Sequence, residues 1–208
     1  MPQTRCQRDY GPMGRNFKPP VAPPDNLLAA TPNAGACNPG DAADTLLKLG
    51  RAAPTIMITL EPIGYVSSPR DDTSDDYWGD VEARIELRRE FAPEAFDGID
   101  EFSHVEVIYF FDRVPENCIE RAARHPRGNR AWRQVGIFAQ RGKNRPNRLG
   151  VSVARLVGRD GRQLVLQGLD AINGTPVLDI KPVMRELLPA GEVRQPSWSH
   201  ELMIHYWR

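Results

Sequence analysis

The chain has 208 residues, and its 27 Lys and Arg are balanced by 27 Asp and Glu, so the formal net charge is zero. This length suits one domain of ordinary size with tails, and the balanced charge excludes attraction to nucleic acid through overall charge alone. There is no apolar run of about 18 residues and no basic-then-apolar leader pattern, which argues against a membrane span and a secretory signal. Cys6, Cys37 and Cys118 show no CxxC spacing, so we expect a protein of the reducing cytoplasm without a disulfide framework.

The N-terminal quarter differs in composition from the rest. Residues 1–54 are rich in Pro, Gly, Ala and Asn and have few large apolar side chains. Such a segment buries too little apolar surface to offset its ordering entropy, which predicts a disordered or loosely draped arm. Residues 44–49 would add at most one helical turn. An alternative is that the native protein starts at Met57, at the opening of the first predicted strand.

Short apolar segments alternate with turn-rich segments from residue 55 onward. Residues 56–66 predict a strand that Pro62 interrupts, which favours a sheet edge or a bulge. An acidic loop follows, and alternating apolar and charged residues then predict a half-buried strand over 81–87. After the turn-rich residues 92–103, the apolar segment 104–111 predicts a central strand. Residues 115–124 predict a short helix with Pro115 in its first turn, and residues 135–140 a further strand.

Two tight-turn dipeptides, Asp160-Gly161 and Asn173-Gly174, separate three more apolar segments. Asp-Gly and Asn-Gly are strong hairpin signals because a type I′ turn needs positive φ at both central residues. We therefore predict that residues 150–157, 162–168 and 175–180 are consecutive antiparallel strands. Residues 182–188 predict a helical turn. Residues 196–207 predict a final helix with Ser197 as N-cap and an apolar stripe of Trp198, Leu202 and Tyr206.

These elements predict an all-β fold with minor α content: an antiparallel sheet or small β-barrel with short peripheral helices. No strand–GxGxxG–helix unit occurs, which argues against a Rossmann-type domain. The predicted organisation is an arm over 1–54, a barrel domain over 55–190 and a C-terminal helical tail over 191–208. His104 and His125 lie in no HxH, HxxxH or HxxE pattern, so no metal site is predicted.

Charge is sorted along the chain despite the neutral total. Thirteen acids against three arginines lie between Asp71 and Glu106, whereas nine cations and no acid lie between Arg121 and Arg148. The two segments either form one strongly positive face for a polyanion or pair with each other as solvated loops. Within the basic segment, loop 141–148 carries four cations, whose arginines can fork onto a carboxylate or phosphate. The simpler alternative is a basic turn.

Two carboxylates near the predicted hairpins also allow two interpretations. Asp170 ends a strand beside Asn173-Gly174, where it would accept hydrogen bonds either from ribose hydroxyls or from turn amides. Asp179 and Lys181, two residues apart on one strand face, are more simply explained as a structural ion pair.

This region contains two long segments, FAQRGKNRPNRLGVS over 138–152 and GLDAINGTPVLDIKP over 168–182. Both resemble the signature of the TsaA/TrmO-like (YaeB-like) family. Known members are dimerising β-barrels that use S-adenosylmethionine to methylate the exocyclic nitrogen of threonylcarbamoyl-modified adenosine beside the tRNA anticodon. The resemblance covers roughly residues 61–182. It implies the same methyltransferase activity here, with S-adenosylmethionine as cofactor, a tRNA anticodon loop as partner and a homodimeric state.

The resemblance also implies where the cofactor binds. Arg141 and Val151 match cofactor-contacting positions of relatives, and further contacts fall in segment 169–174. Relatives usually have Phe-His at Phe111-Asp112 and Pro-Arg-Gln at residues 77–79, so these two edges depart from the family pattern. The predicted cofactor-binding residues are Tyr77, Trp78, Gly79, Phe111, Asp112, Arg141, Val151, Leu169, Asp170, Ala171 and Gly174.

Individual roles follow from the chemistry of methyl transfer. The acceptor nitrogen must lose a proton, and Asp170 is the predicted catalytic residue that takes it. Trp78 would stack on adenine or face the sulfonium, or else plug the core. Cations would contact the phosphates of an unpaired anticodon loop. The predicted RNA-binding residues are Arg124, Arg127, Lys143, Arg145 and Arg148.

Two other functions stay open at this stage: an RNA-binding barrel without enzymatic activity, and a module that binds the cofactor but methylates no tRNA. Some relatives carry a further C-terminal domain, where this chain has only residues 184–208. The final helix, with a dimer partner, would then have to replace the substrate contacts of that domain.

Overall fold

The computed structural model describes residues 56–208. The predicted arm over 1–54, with its helical turn at 44–49, lies outside the described residues. The strands are β1 (Gly64–Ser67), β2 (Glu82–Leu87), β3 (His104–Phe110), β4 (Ala123–Arg124), β5 (Val135–Gly136), β6 (Leu149–Asp160), β7 (Gln163–Gln167) and β8 (Pro176–Pro182). The α-helix is α1 (Ser197–Met203), and 3₁₀ helices occupy Pro93–Phe96, Ile99–Glu101, Glu116–Cys118, Pro126–Gly128, Ile137–Ala139 and Arg185–Leu187.

Six of these strands close into an antiparallel barrel in the order β1-β2-β7-β6-β3-β8, and β8 closes the barrel by pairing with β1. The small β-barrel predicted from the sequence is thus confirmed. Strands β4 and β5 form a separate two-stranded sheet.

The barrel interior follows from the period-2 patterns of the sequence. In β2 and β3 every second residue is buried, and the same holds for Leu164 and Leu166 of β7. Burying an aliphatic side chain of this size is worth about 1.5–3 kcal/mol, so these positions stabilise the closed sheet. The strand predicted over 104–111 is confirmed as β3, which pairs with β6 and β8.

The hairpin prediction is only half right. β6 and β7 pair as predicted, but β8 pairs with β1 and β3 rather than with β7. The Asn173-Gly174 turn instead forms a hydrogen bond to β1, because Gly174 N donates to Val66 O at 2.8 Å. Neither turn is of type I′, because Gly161 and Gly174 have positive φ but Asp160 and Asn173 do not.

Three local predictions are wrong in the extent or the type of the element. The predicted strand 56–66 is reduced to β1. The predicted helix 115–124 is only a 3₁₀ turn, because Glu120 N donates to Asn144 O and residues 123–124 pair with β5. The predicted strand 135–140 stops at Gly136 and continues as a 3₁₀ helix.

The final helix is shorter than predicted and is capped differently. Helix α1 ends at Met203, and residues 204–207 continue as turns. Pro196 rather than Ser197 occupies the N-cap, and no side chain caps the helix. The predicted stripe of Trp198, Leu202 and Tyr206 is half-buried.

The antiparallel register collects several connections at one end of the barrel. This end contains the end of β3, the start of β6, the end of β7 and the start of β8. It also contains the end of β1 and the start of β2, because these two strands pair with β8 and β7. Consequently segments 68–81, 111–148 and 168–175, which carry the predicted site residues, emerge at this end.

Candidate functional site

Asp170 lies at the centre of a polar cluster at this end of the barrel. Its Oδ1 accepts a hydrogen bond from the Tyr109 hydroxyl at 2.8 Å, and its Oδ2 accepts one from the Tyr206 hydroxyl. The Tyr109 hydroxyl also lies 3.1 Å from the backbone oxygen of Asp170. The two phenols therefore restrain both carboxylate oxygens of a half-buried acid.

Both phenols are kept in the neutral, hydrogen-bond-donating form. Burial, followed by the charge of Asp170, raises the pKa of Tyr109 well above its usual value, whereas the Arg141 guanidinium lowers it. Burial and Asp170 likewise raise the pKa of Tyr206. At neutral pH the two tyrosines are thus donors to a carboxylate acceptor.

Tyr109 is positioned by the barrel itself. It is 2% exposed in β3 and lies opposite Gly150 of β6. A Cβ atom added at Gly150 would overlap the Tyr109 ring and would lie 2.8 Å from Cδ2. Phe111 packs its ring edge-on against Tyr109 at 5.3 Å between centroids. The glycine therefore makes the space in which the ring reaches Asp170.

The structure brings Arg141 and Val151 into direct contact. The exposed Arg141 side chain donates from Nη2 to the Val151 backbone oxygen at 2.6 Å. Val151 is half-buried at the start of β6, beside the end of β3. A guanidinium held in this way keeps its remaining N–H groups for an anionic ligand.

Residues 77–79 are covered by the C-terminal segment, defined here as Ser197–Arg208. Tyr77 N donates to His205 O at 3.0 Å, and Trp78 N donates to Tyr206 O at 2.8 Å. Gly79 allows close approach of Trp207, because an added Cβ would lie 2.9 Å from the Trp207 carbonyl carbon. This edge of the predicted site is therefore built jointly with the end of the chain.

Three predicted cofactor-binding side chains lie in the core. Trp78 is 4% exposed, and the Arg70 guanidinium lies 3.7 Å from its ring centroid. The core-plug alternative describes Trp78, since its ring face is already occupied by a cation. Leu169 and Ala171 are buried as well. These two neighbours of Asp170 could therefore contact a ligand only through their backbone groups.

The remaining predicted positions lie around the same barrel end. Phe111 is half-buried, Asp112 is exposed, and Phe111 N donates to Arg148 O at 2.8 Å. Gly174 is exposed with φ of 82° and lies near the Arg113 guanidinium. Tyr77 is also exposed and stacks on His205 at 6.1 Å between ring centroids.

Part of the basic segment pairs with the acidic segment, so the alternative of mutually paired loops describes Arg127 and Lys143. Arg127 donates to both carboxylate oxygens of Asp76, at 2.9 and 3.1 Å. Lys143 donates to Thr73 O at 3.1 Å and lies 3.8 Å from Asp75. Arg124 lies 3.9 Å from Glu120, and Arg148 lies 3.8 Å from Glu116. Arg130, Arg133 and Arg145 form no ion pair within residues 56–208.

The second carboxylate considered in the sequence has the simpler role. Asp179 and Lys181 form an ion pair on β8, as expected for residues two apart on one strand face. No group of three or more His, Cys, Asp and Glu side chains in the described part of the chain is arranged to hold a metal ion. No helix within that same part is long and apolar enough to cross a membrane.

Sequence reasoning missed Tyr109 and Tyr206 as partners of Asp170, and Arg70 as the partner of Trp78. Tyr109 appeared only as one residue of an apolar strand, and Tyr206 as part of an apolar stripe. For Tyr109 the useful signal was a phenol at an inward-facing strand position, because a buried hydroxyl needs a hydrogen-bond partner.

Taken together, the fold and the cluster define a small closed antiparallel barrel with a tyrosine-held carboxylate and an arginine at one end. Residues 68–187 match the family model described as the tRNA-methyltransferase O N-terminal domain. The chain belongs to this family, and the TsaA/TrmO-like resemblance is confirmed.

Individual relatives agree with this assignment. The chain is 36% identical over 137 residues to a probable S-adenosyl-L-methionine-binding protein of Pyrococcus abyssi, covering 63% of this chain and 71% of that protein. It is 33% identical over 150 residues to the human tRNA (adenine(37)-N6)-methyltransferase, and the match covers 67% of this chain and 33% of that enzyme. The crystal structure of TrmO from Pseudomonas aeruginosa has a TM-score of 0.57 at 28% identity, covering 70% of this chain and 63% of that one. The chain thus spans only about a third of the human enzyme's length.

Proposed function

We propose that this protein is an S-adenosylmethionine-dependent methyltransferase that acts on the exocyclic nitrogen of threonylcarbamoyl-modified adenosine next to the tRNA anticodon. The family match over residues 68–187 supports the proposal, as do relatives named for S-adenosylmethionine binding and for tRNA methylation. The observation that carries it is the meeting of Asp170 with two phenols at the barrel end where Arg141 contacts Val151.

The residues at this end fit the cofactor in chemical type. S-adenosylmethionine presents hydroxyls and an ammonium group that need acceptors, and a carboxylate that needs a donor. Asp170 is a half-buried acceptor, and Arg141 is an exposed donor whose charge acts on the same Tyr109 phenol. We assign the ligand's hydroxyls or ammonium to Asp170 and its carboxylate to Arg141. The remaining ligand contacts that we propose are Tyr77, Gly79, Phe111, Asp112, Val151, Gly174 and the backbone at 169–171.

When bound, the cofactor supplies an electrophilic methyl group on its sulfonium. The contribution of this chain is alignment of the reacting groups and exclusion of water. The barrel holds Asp170 through Tyr109, and the C-terminal segment covers the edge at residues 77–79. Asp170 stays our proposed acceptor of the proton that the acceptor nitrogen loses, because it is a half-buried carboxylate at this end of the barrel.

The RNA-binding surface that we propose differs from the one predicted from sequence. Arg127 and Lys143 are engaged with the acidic loop, whereas Arg130 and Arg133 are exposed and unpaired within residues 56–208. We therefore propose that Arg130, Arg133 and Arg145 contact phosphates first. Four other cations have acidic partners and would contact the RNA only where phosphates replace those partners. They are Arg124, Arg127, Lys143 and Arg148.

A homodimer in the cytoplasm completes the proposal. The outward face of β3 and β6 carries the half-buried Ile108 and Val151 and the 49% exposed Val153. Phe138, 78% exposed, adds to the uncovered apolar surface of the chain. Apolar residues of this kind favour contact with a second copy. Sedimentation at micromolar concentration tests this point: a monomer would contradict it, and Val153→Glu should dissociate a dimer.

Calorimetric titration of S-adenosylmethionine into the wild-type protein tests the cofactor site. Arg141→Ala should weaken binding by about tenfold or more, as expected for a lost charge-assisted hydrogen bond. Arg84→Ala is the matched control, because Arg84 is an exposed β2 arginine that lies 3.9 Å from Glu82. If folded wild-type protein binds no S-adenosylmethionine, the methyltransferase proposal fails.

Methylation of a tRNA pool, measured by transfer of a labelled methyl group, tests the substrate. Replacing Arg130 and Arg133 together by alanine should weaken RNA binding and make it less salt-dependent, because each lost phosphate contact lowers the slope by about 0.7–0.9. Cofactor binding without any methylation would instead favour a binding module. RNA binding without cofactor affinity would favour a non-enzymatic RNA-binding barrel.

A further inference from the structure

The C-terminal segment reaches Asp170 through a continuous set of contacts. Its backbone oxygens at His205 and Tyr206 accept hydrogen bonds from Tyr77 N and Trp78 N. One residue further on, the backbone of Trp207 packs against Gly79. Between these contacts the Tyr206 side chain extends to Asp170 Oδ2. The segment is thus fastened to loop 77–79 and to the Asp170 carboxylate together.

The two oxygens of Asp170 are held from different parts of the molecule. Oδ1 is held by Tyr109, which belongs to the barrel core, and Oδ2 is held by Tyr206, which is 36 residues away in sequence. Each carboxylate oxygen has a second lone pair, so both remain able to accept a hydrogen bond from a ligand. The direction of that free acceptor at Oδ2 depends on where Tyr206 sits.

Tyr206 is itself held in place from the side. The Arg127 guanidinium lies 5.9 Å from the centre of its ring, and the same guanidinium forms the two hydrogen bonds to Asp76. Trp132 of the basic segment donates from Nε1 to Glu201 of the C-terminal segment at 2.8 Å. Several separate contacts therefore define the docked position of the C-terminal segment.

We propose that Tyr206 is a positioning residue that couples docking of the C-terminal segment to ligand binding at Asp170, an inference that rests on the proposed function. With the segment docked, both Asp170 oxygens are oriented for the ligand. With the segment undocked, only Tyr109 restrains the carboxylate. Because coupling between two binding events is reciprocal, the ligand must also strengthen docking of the segment.

The first test is titration of S-adenosylmethionine into Tyr206→Phe and Tyr65→Phe. Tyr65 is the matched control, because it is a 47% exposed tyrosine of β1 outside the site. Tyr206→Phe removes one hydroxyl and keeps the ring, so it should bind the ligand about tenfold more weakly, which is within the usual range of coupling between two linked binding events. Tyr65→Phe should bind as the wild type does. Thermal unfolding of each variant checks that the comparison is between folded proteins.

The second test needs no variant. Exchange of the Tyr77 and Trp78 amide hydrogens should slow when S-adenosylmethionine is added to the wild-type protein, because these amides bind the C-terminal segment. In Tyr206→Phe the same addition should leave their exchange nearly unchanged. A merely structural role for Tyr206 would speed exchange equally with and without the ligand.

The outcomes separate the two proposals. Weaker binding in Tyr206→Phe supports the inference if the ligand also slows exchange of these amides in the wild type but not in the variant. Wild-type binding in Tyr206→Phe, or exchange that S-adenosylmethionine does not change, overturns the inference and leaves the cofactor site intact. A folded wild-type protein that does not bind S-adenosylmethionine overturns the proposed function and, with it, this inference.

Discussion

Replacing Gly150 with alanine should destabilise the barrel and loosen the candidate site together. The added methyl carbon would overlap the Tyr109 ring, reaching 2.8 Å from Cδ2, a distance that real Cβ atoms essentially never show. Tyr109 is fully enclosed by the core and paired with Asp170. It therefore cannot give way without disturbing either its packing or its hydrogen bond.

The size of the effect is the sum of three contributions. Overpacking a core costs about 1–3 kcal/mol. Displacing the Tyr109 hydroxyl from a charged acceptor adds about 1.5–3 kcal/mol. Alanine restricts the unfolded chain and returns about 0.4–1 kcal/mol. We expect a net loss of about 2–5 kcal/mol in the free energy of unfolding, which lowers Tm by roughly 5–15 °C in a domain of this size.

Urea denaturation measures this loss from the shift of the midpoint at constant slope. Gly158→Ala is the matched control on the same strand, because a Cβ there meets nothing within 4 Å. It should be neutral or slightly stabilising. A double-mutant cycle with Tyr109→Leu supplies the second check, because the overlap disappears with the ring and the cost of Gly150→Ala should fall below about 1 kcal/mol. Equal stability of Gly150→Ala and Gly158→Ala would refute the reasoning.

Two further predictions concern the same barrel end. The pKa values of Tyr109 and Tyr206 are raised by burial and by Asp170, so both phenols stabilise the fold below about pH 10 and that stability is lost as pH rises further. Absorbance titration should find two tyrosines that resist ionisation above that pH. In Asp170→Asn the two tyrosines should ionise at lower pH than in the wild type. An unchanged titration would contradict the contact of both phenols with Asp170. Separately, Arg70→Ala should cost about 1–3 kcal/mol in urea denaturation, because the guanidinium covers Trp78 and donates to Asp76 O at 2.8 Å. Arg84→Ala should cost less than about 0.5 kcal/mol, and equal losses would show that the Arg70 contacts are not stabilising.

The local patterns of the sequence determined the interior of the barrel. Alternating burial in β2 and β3 was predictable, because successive side chains of a strand point to opposite faces. From the two long family segments we predict that Arg141 and Val151 contact the cofactor, which stays a prediction; the structure places the two residues in direct contact.

Only the tertiary structure decided how the segments are paired and which side chains remain available. β8 pairs with β1 and β3 although a turn signal precedes it, because barrel closure satisfies both of its edges. The predicted helix at 115–124 yielded to long-range pairing for a similar reason. Partners far apart in sequence leave no local pattern, so the meeting of Tyr109, Asp170 and Tyr206 follows only from the closed barrel and the docked end of the chain.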